Sequence, residues 1–431
     1  MSLRDEAVRL LQKLIRLNTV NPPGNETRAA ELLRDYLEPF GVECALYARE
    51  PERANLVARI RGRGDGPGLL LLSHTDTVLA DPAEWSVDPW SGELRDGQVW
   101  GRGALDMKGQ VAANAVAIAS LAREGFRPGG DLIFAATADE EMGEGVTYGL
   151  EWLCEAHPDA VGCDYAINEG AGDRVEVGGR VLYLCASAEK RSSPFVLDVH
   201  GRSGHGSMPG IADNALVKAS RLITRLGEFD PEPRLIPETE GLLAALLDRV
   251  PPAADALAAA READPVAAEL VEPLLALTVS PTMIEASTKR NVIPGRCEVT
   301  VDCRLLPGQP EEEAEAQVRE WLGPDSYDLE WTGGHGGTRS AIGTPLWSAV
   351  ERFVEELEPG ARLAPICVAG FTDSHWLREA FGTVAYGFFP LRTMSAELAS
   401  RLVHSADERI PVDDVGLGVD FLRSVALALG S

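Results

Sequence analysis

Leu69–Val78 reads LLLLSHTDTV, and the reading of the whole chain turns on it. Four consecutive leucines predict a buried strand. The strand runs out in His74 and Asp76, both side chains of the kind that bind metals. In an open α/β sheet, chemistry gathers where the carboxyl ends of strands lie. Side chains two apart on an extended chain point the same way. One of the pair is therefore placed to hold a metal while the other supports it. A strand that merely ends in polar residues would look the same, so the residues downstream of Val78 decide between the two.

Gly101–Gly109 reads GRGALDMKG. Glycines around Asp106 let the backbone turn sharply and approach a ligand closely. An alanine-rich segment, Lys108–Glu124, comes next, with apolar residues at helical spacing. A dinucleotide site is the competing reading, but Asp106 stands where the third glycine of G-x-G-x-x-G belongs. An anion there repels a pyrophosphate and attracts a cation. A further strand, Asp131–Ala138 (DLIFAATA), enters Asp139-Glu140-Glu141, and Asp164–Asn168 (DYAIN) ends at Glu169. Adjacent carboxylates at the end of an apolar strand are costly unless something positive lies among them. His404 sits late in the chain, in RLVHSADERIP.

The collected set is His74, Asp106, Glu141, Glu169 and His404, with Asp76 and Glu140 beside them. Imidazole and carboxylate donors without cysteine suit Zn²⁺, Mn²⁺ or Co²⁺ in a catalytic site. Two histidines and three carboxylates exceed the needs of one zinc and fit two metals about 3.5–4 Å apart. No H-E-x-x-H helix is present, which excludes a thermolysin-like site.

At 431 residues the chain is long enough for two or three domains. A net charge of −27 repels nucleic acid and anionic membranes. No apolar run reaches the roughly 20 residues of a membrane span, and the charged N-terminus has no apolar signal core. Seven cysteines without a C-x-x-C pair read as reduced residues of a cytoplasmic protein. Up to about Arg191, strands alternate with helices, which predicts an α/β fold with a mostly parallel sheet and helices on both faces. From Ser192 the pattern changes to a smaller α+β unit. Its strands are Phe195–His200, Leu277–Ala286 and Arg296–Arg304, and its helices are Asp213–Leu226 and Glu311–Leu322. Glu238–Leu275 reads as extra helices inserted there, suited to packing or oligomer contact. Gly333–Gly337 (GGHGG) reads as a flexible return. The expected segments are 1–191, 192–332 and 333–431.

Several motifs in one order resemble a known family: SHTDTV, WSVDPWSG, GRGALDMKG, ADEEMGE, INEG, GRSGHGSMP, RNVIPG, DCRLLPG, FTDS and His404. The chain is similar to the co-catalytic zinc family of aminoacylase, glutamate carboxypeptidase, acetylornithine deacetylase and succinyl-diaminopimelate desuccinylase. The resemblance implies a catalytic domain interrupted by a lid. It implies that His74 and His404 each bind one of two zinc ions, that Asp106 bridges them, and that Glu141 and Glu169 complete the two shells. Asp76 then orients His74. Glu140 serves as general base and acid towards a metal-bridging water. His205 in the lid stabilises the oxyanion, and Asn291 and Arg304 hold the substrate carboxylate. It also implies a cis peptide after Asp106.

The implied reaction is hydrolysis of an amide bond in a small N-acyl amino acid or peptide with a free carboxylate. A catalytically silent binding protein on the same fold is the alternative. A homodimer through the lid is expected, against a monomer whose 238–275 insertion covers that edge. One departure concerns the substrate: Phe371 stands in AGFTDS where the family often has glycine, either narrowing the pocket or lying outside it.

Overall fold

Strand Leu69–His74 is buried along its whole length. Leu69 and Leu71 enter one apolar cluster, and Leu70 and Leu72 enter another on the opposite side. The neighbouring strand divides in the same way. Leu132, Phe134 and Ala136 face the first cluster, and Ile133 and Ala135 face the second. A near-continuous apolar run, rather than alternation, is what a strand covered on both faces requires.

The computed structural model describes residues 1–142, 147–324 and 326–430. Gly143 and Glu144 of the ADEEMGE motif lie outside the described residues. Two units are present: Met1–Ser187 with Ser340–Ile366 and Thr372–Ser431, and Ala188–Arg339 with Cys367–Phe371. The second unit extends slightly beyond Ser192 and Thr332 because its entry and exit strands are tied together. The Glu189 amide donates to Thr338 O (3.1 Å) and the Lys190 amide to Val368 O (2.8 Å).

Among the described residues the sheet of the first unit has nine strands: β1 (Glu43–Ala48), β2 (Ala54–Ile60), β3 (Leu69–His74), β4 (Leu132–Thr137), β5 (Tyr165–Asn168), β6 (Arg174–Val177), β7 (Arg180–Glu189), β8 (Arg362–Val368) and β9 (Val384–Gly387). Their spatial order is β1-β2-β4-β3-β5-β9-β7-β8, with β6 on β7. The central strands β4, β3, β5 and β9 run parallel. Antiparallel pairings of β1, β2 and β7 flank them. The register sets His74 against Thr137, so the carboxyl ends of β3 and β4 finish level. Helix Lys108–Arg123 is buried from Lys108 to Leu121 and packs between helices Leu3–Ile15 and Val412–Gly430. Among the described residues no helix is long and apolar enough to cross a membrane.

In the second unit, Phe195–His200 pairs antiparallel with Arg296–Leu305 and Tyr327–Trp331, and Thr278–Glu285 pairs with Arg296–Leu305. Here burial alternates. Cys297, Val299, Val301, Cys303 and Leu305 point inward onto helices Ala215–Gly227 and Glu311–Leu322, as a one-faced sheet demands. Helices Pro237–Leu247, Ala253–Ala263 and Pro265–Val271 occupy the inserted segment. The GGHGG stretch is a correction. It is not a free return, because His335 and Gly336 pair with Ser192 and Arg191. Phe371 packs edge-on to His335, with ring centroids 4.5 Å apart. Backbone pairing, invisible in a glycine-rich sequence, holds the segment.

Candidate metal centre

The centre lies in the first unit, at the carboxyl ends of β3, β4 and β5. His74 closes β3, Glu140 and Glu141 come after the turn that ends β4, and Glu169 comes directly after β5. Asp106 arrives from the loop before helix Lys108–Arg123, and its peptide bond to Met107 is cis. His404 sits just beyond helix Ala396–Leu402 at φ 60°.

These side chains meet at Asp106. His74 Nε2 lies 3.1 Å from Asp106 Oδ1 and 3.6 Å from Glu169 Oε1. On the other side, His404 Nε2 lies 3.0 Å from Asp106 Oδ2 and 3.3 Å from Glu141 Oε2. The same carboxylate therefore belongs to two triads, His74–Asp106–Glu169 and Asp106–Glu141–His404, each with donor atoms within 4.8 Å of one another. Glu141 Oε1 is buried with no hydrogen-bond partner among the described residues. An orphaned carboxylate oxygen on the residue that faces the His404 imidazole fits a cation, and this donor set suits a pair of divalent ions.

The electrostatics point the same way. Burial and the charge of Glu169 push the Glu140 carboxyl well above its usual range. Burial pushes Glu169 up to about 7. Burial would raise Asp106 too, but hydrogen bonds from His404 and His74 outweigh it and hold the carboxyl low. Hydrogen bonds to Asp106 and Glu141 raise His404 to about 10. In the absence of metal, protons on the histidines balance the carboxylates.

Asp76 is fully buried behind His74. Its backbone oxygen lies 3.2 Å and its Oδ1 3.4 Å from His74 Nδ1. The same carboxylate accepts the amides of Glu140 (3.2 Å) and Glu141 (3.1 Å) and the Asn21 side-chain amide (2.9 Å). One side chain thus orients both the β3 histidine and the acidic turn after β4, as an outer-shell carboxylate does for metal-bound imidazole. The Glu140 carboxylate makes no hydrogen bond or ion pair among the described residues.

His205, Asn291 and Arg304 all lie in the second unit. The backbone ladder brings the first two together. Gly204–His205 pairs with Val292–Ile293, and the Gly206 amide donates to Asn291 O at 2.8 Å. His205 is exposed, and the Ser207 amide donates to its Nδ1 at 3.3 Å. Arg304 donates through Nε to Asp302 (3.0 Å), while its two Nη groups have no hydrogen bond among the described residues.

Residues 70–428 match the peptidase family M20/M25/M40. The chain belongs to that family. It is 28% identical over 425 residues to succinyl-diaminopimelate desuccinylase of Cereibacter sphaeroides (strain ATCC 17025), covering 95% of each chain. The succinyl-diaminopimelate desuccinylase of Methylobacterium radiotolerans is 35% identical over 227 residues, 52% of this chain and 56% of that one. Among solved structures, the metallo-carboxypeptidase Sso-CP2 of Sulfolobus solfataricus superposes with a TM-score of 0.72 at 18% identity, covering 98% of this chain and 99% of that one. Human carnosine dipeptidase 1 gives 0.66 at 17% identity, with 99% and 96% covered. The YXEP protein of Bacillus subtilis, described as a dinuclear metal-binding peptidase of family M20, gives 0.61 at 13% identity, with 99% and 98% covered. At these identities the structures speak for the fold. Family membership makes the chain an M20 hydrolase of peptides or acylated amino acids, in a family with a dinuclear metal site.

In this M20 chain several buried groups around the centre escaped sequence reasoning. Glu408 is fully buried. It accepts from Arg102 Nη1 (2.7 Å) and from the amides of Gly103 (3.0 Å), Leu105 (2.7 Å) and Asp106 (3.0 Å). It therefore clamps the Asp106 loop to the segment that carries His404. Asn21 also donates to Asp139 (2.9 Å), which Arg53 links to buried Glu26. Asp373 is buried, accepts from Thr137 Oγ1 at 3.1 Å, and is pushed up to about 7 by burial. The signal for Glu408 was present in the sequence: an acid four residues after His404, inside the same motif.

Two outcomes are expected. Glu408→Gln should weaken metal affinity by about 10–100-fold, the usual cost of losing an outer-shell partner, as read by chelator competition. An unchanged affinity with only a lower Tm would make Glu408 purely structural. The second outcome concerns pH. His404 is raised from 6.5 to about 10, so in the metal-free protein its contribution is complete below 6.5 and fades as pH rises through about 10. Glu169 is raised from 4.5 to about 7 by burial, so its contribution is likewise lost on raising pH through 7. The Tm advantage of the chelator-treated wild type over chelator-treated His404→Gln should shrink between about pH 6 and about pH 10, whereas stabilisation by added metal should grow with pH as the histidines lose their protons. An advantage that grows over this window would contradict the coupling.

Proposed function

We propose that this chain hydrolyses an amide bond in small N-acyl amino acids or peptides that carry a free carboxylate. The observation that carries the reading is the sharing of Asp106 between two His–carboxylate pairs, 3.1 Å from His74 and 3.0 Å from His404. His74 and Glu169 would hold one divalent ion, Glu141 and His404 the other, and Asp106 both. Zinc suits these donors best, and manganese or cobalt fits the same set. When bound, such a pair supplies Lewis acidity and lowers the pKa of water.

The rest of the chemistry falls to side chains. Glu140, with its carboxylate unengaged among the described residues and its proton affinity raised by burial, takes a proton from the attacking water and returns it to the departing amine. Asp76 keeps the His74 ring and the Glu140 backbone in place. His205 donates a hydrogen bond to the oxygen that becomes negative. Its Nδ1 accepts the Ser207 amide (3.3 Å) and lies 2.8 Å from Ser207 Oγ, which leaves Nε2 as the donating nitrogen. Asn291 and the Nη groups of Arg304 bind the substrate carboxylate, a pairing that suits a guanidinium fork. The acyl group is open among succinyl, acetyl and aminoacyl, and the likeness to desuccinylases supports testing succinyl first. A cytoplasmic setting accords with seven cysteines outside any disulfide. Exposed Leu216, Val217, Met283 and Ile284 on the second unit support a homodimer through that face. Sedimentation equilibrium returning a monomer mass would remove that element of the proposal.

The test is a screen of zinc- and manganese-loaded protein over N-acyl amino acids, including N-succinyl-diaminopimelate, and dipeptides, with released amines quantified. Glu140→Gln should keep both metals yet lose about 10²–10⁴-fold in turnover. Loss of metal in that variant would mean that Glu140 is a ligand. Binding of panel compounds without any turnover in the wild type would favour the silent binding protein instead.

A further inference from the structure

A cavity of about 270 Å³ lies in the first unit against the candidate centre, with Asp106 and Glu169 in its wall. It is too small for a whole ligand of drug size and large enough for one arm of a substrate. Its walls grow out of the two segments that supply the centre. From Glu169 the chain runs through Gly170-Ala171-Gly172 to Asp173, and on the other side Ala399 and Val403 lead to His404. Phe389 and Leu391 close it between them.

The Glu169–Asp173 wall is held tightly. Phe389 donates to Ala171 O (2.8 Å), Leu391 to Gly172 O (3.0 Å) and Arg174 to Leu391 O (3.2 Å), so Asp173 bridges directly to Leu391. Gly172 adopts φ 124°, and a Cβ there would come within 1.9 Å of Phe389 O. Only glycine admits this close approach. Asp173 is thus fixed at the wall of a mostly apolar cavity, and it has no ion pair among the described residues. Its neighbours at the wall, Asp106 and Glu169, are committed to the centre.

We infer that this cavity is a substrate subsite for an apolar chain ending in a cationic group, an ammonium or guanidinium, with Asp173 as its counter-ion. The inference rests on the reading of the adjoining centre as an amide hydrolase. Asp173 is half-buried, its carboxylate is hydrogen-bonded by its own backbone amide, and a substrate cation would offset the cost of its poor solvation. Burial pushes the Asp173 carboxyl up to about 6, which leaves it ionised at neutral pH and poorly solvated. Asp173 is a specificity-determining residue on this account, and it takes no part in bond breaking.

The experiment uses matched substrates that differ only in charge at the chain end. N-acetyl-lysine against N-acetyl-norleucine probes the amine side of the scissile bond, and Lys-Gly against Nle-Gly probes the acyl side. In at least one pair the metal-loaded wild type should favour the lysine substrate by about tenfold or more in kcat/KM, the worth of a charge-assisted hydrogen bond. Asp173→Asn should bring that ratio close to one, and Asp173→Glu, which keeps the charge, should restore most of it. Ratios near one in both wild-type pairs, or a preference that Asp173→Asn leaves intact, would overturn the subsite. If neither member of either pair is hydrolysed, the amidase reading is decided by the wider screen of N-acyl amino acids and dipeptides, and the subsite is read by calorimetry with n-pentylamine. The wild type should bind the amine about tenfold more tightly than Asp173→Asn, and equal affinities would refute the assignment.

Discussion

The carboxylate of Asp106 is the point on which the centre turns. Each oxygen faces its own imidazole, 3.1 Å from His74 and 3.0 Å from His404, and each imidazole faces a second carboxylate. So much negative charge in a partly buried site is stable only with positive charge among it. The chain supplies no lysine or arginine to these oxygens among the described residues. Arg53 is spent on Glu26 and Asp139, and Arg102 on Glu408. Lys108, fully buried, donates to Leu14 O and Leu17 O instead. These cations are used to build the support, and the centre is left to protons or metals.

That support explains the geometry. Parallel β3, β4 and β5 finish at one edge of a sheet buried on both faces, which delivers His74, the Asp139–Glu141 turn and Glu169 side by side. Asp106 and His404 come from loops and need tethers of their own. Glu408 supplies one by accepting three loop amides and the Arg102 guanidinium. Asp76 does the same for the strand ends, joining β3 to the turn after β4 through the amides of Glu140 and Glu141. Ligand positions are set by backbone held from behind, which keeps the front of the site open to substrate.

Strands β3, β4 and β5, the strand Phe195–His200 and the main helix were legible in the sequence because their burial is written in the pattern. LLLLSH and DLIFAATA are continuous runs that only a sheet covered on both faces uses, while Phe195–His200 alternates as a one-faced strand should. The candidate ligands stood out because polar residues end those runs and because several motifs appear in one family's order. Asp76 apart, the positioning groups did not stand out. Glu408 and Asp106 are separated by 302 positions, Asn21 and Asp139 by 118, and a charged residue in a loop reads as solvated until its partners are known. The glycines at 333–337 misled for a related reason: composition signals freedom, whereas pairing with Arg191–Ser192 removes it. Asp173 was equally silent, since its surroundings are made by Phe389 and Leu391, far along the chain.

The most direct test of the account is anomalous diffraction at the zinc edge from crystals of the zinc-loaded protein. Two peaks should flank Asp106, one beside His74 and Glu169 and the other beside Glu141 and His404, with a different Asp106 oxygen facing each. A single peak, or two peaks that do not share Asp106, would contradict it.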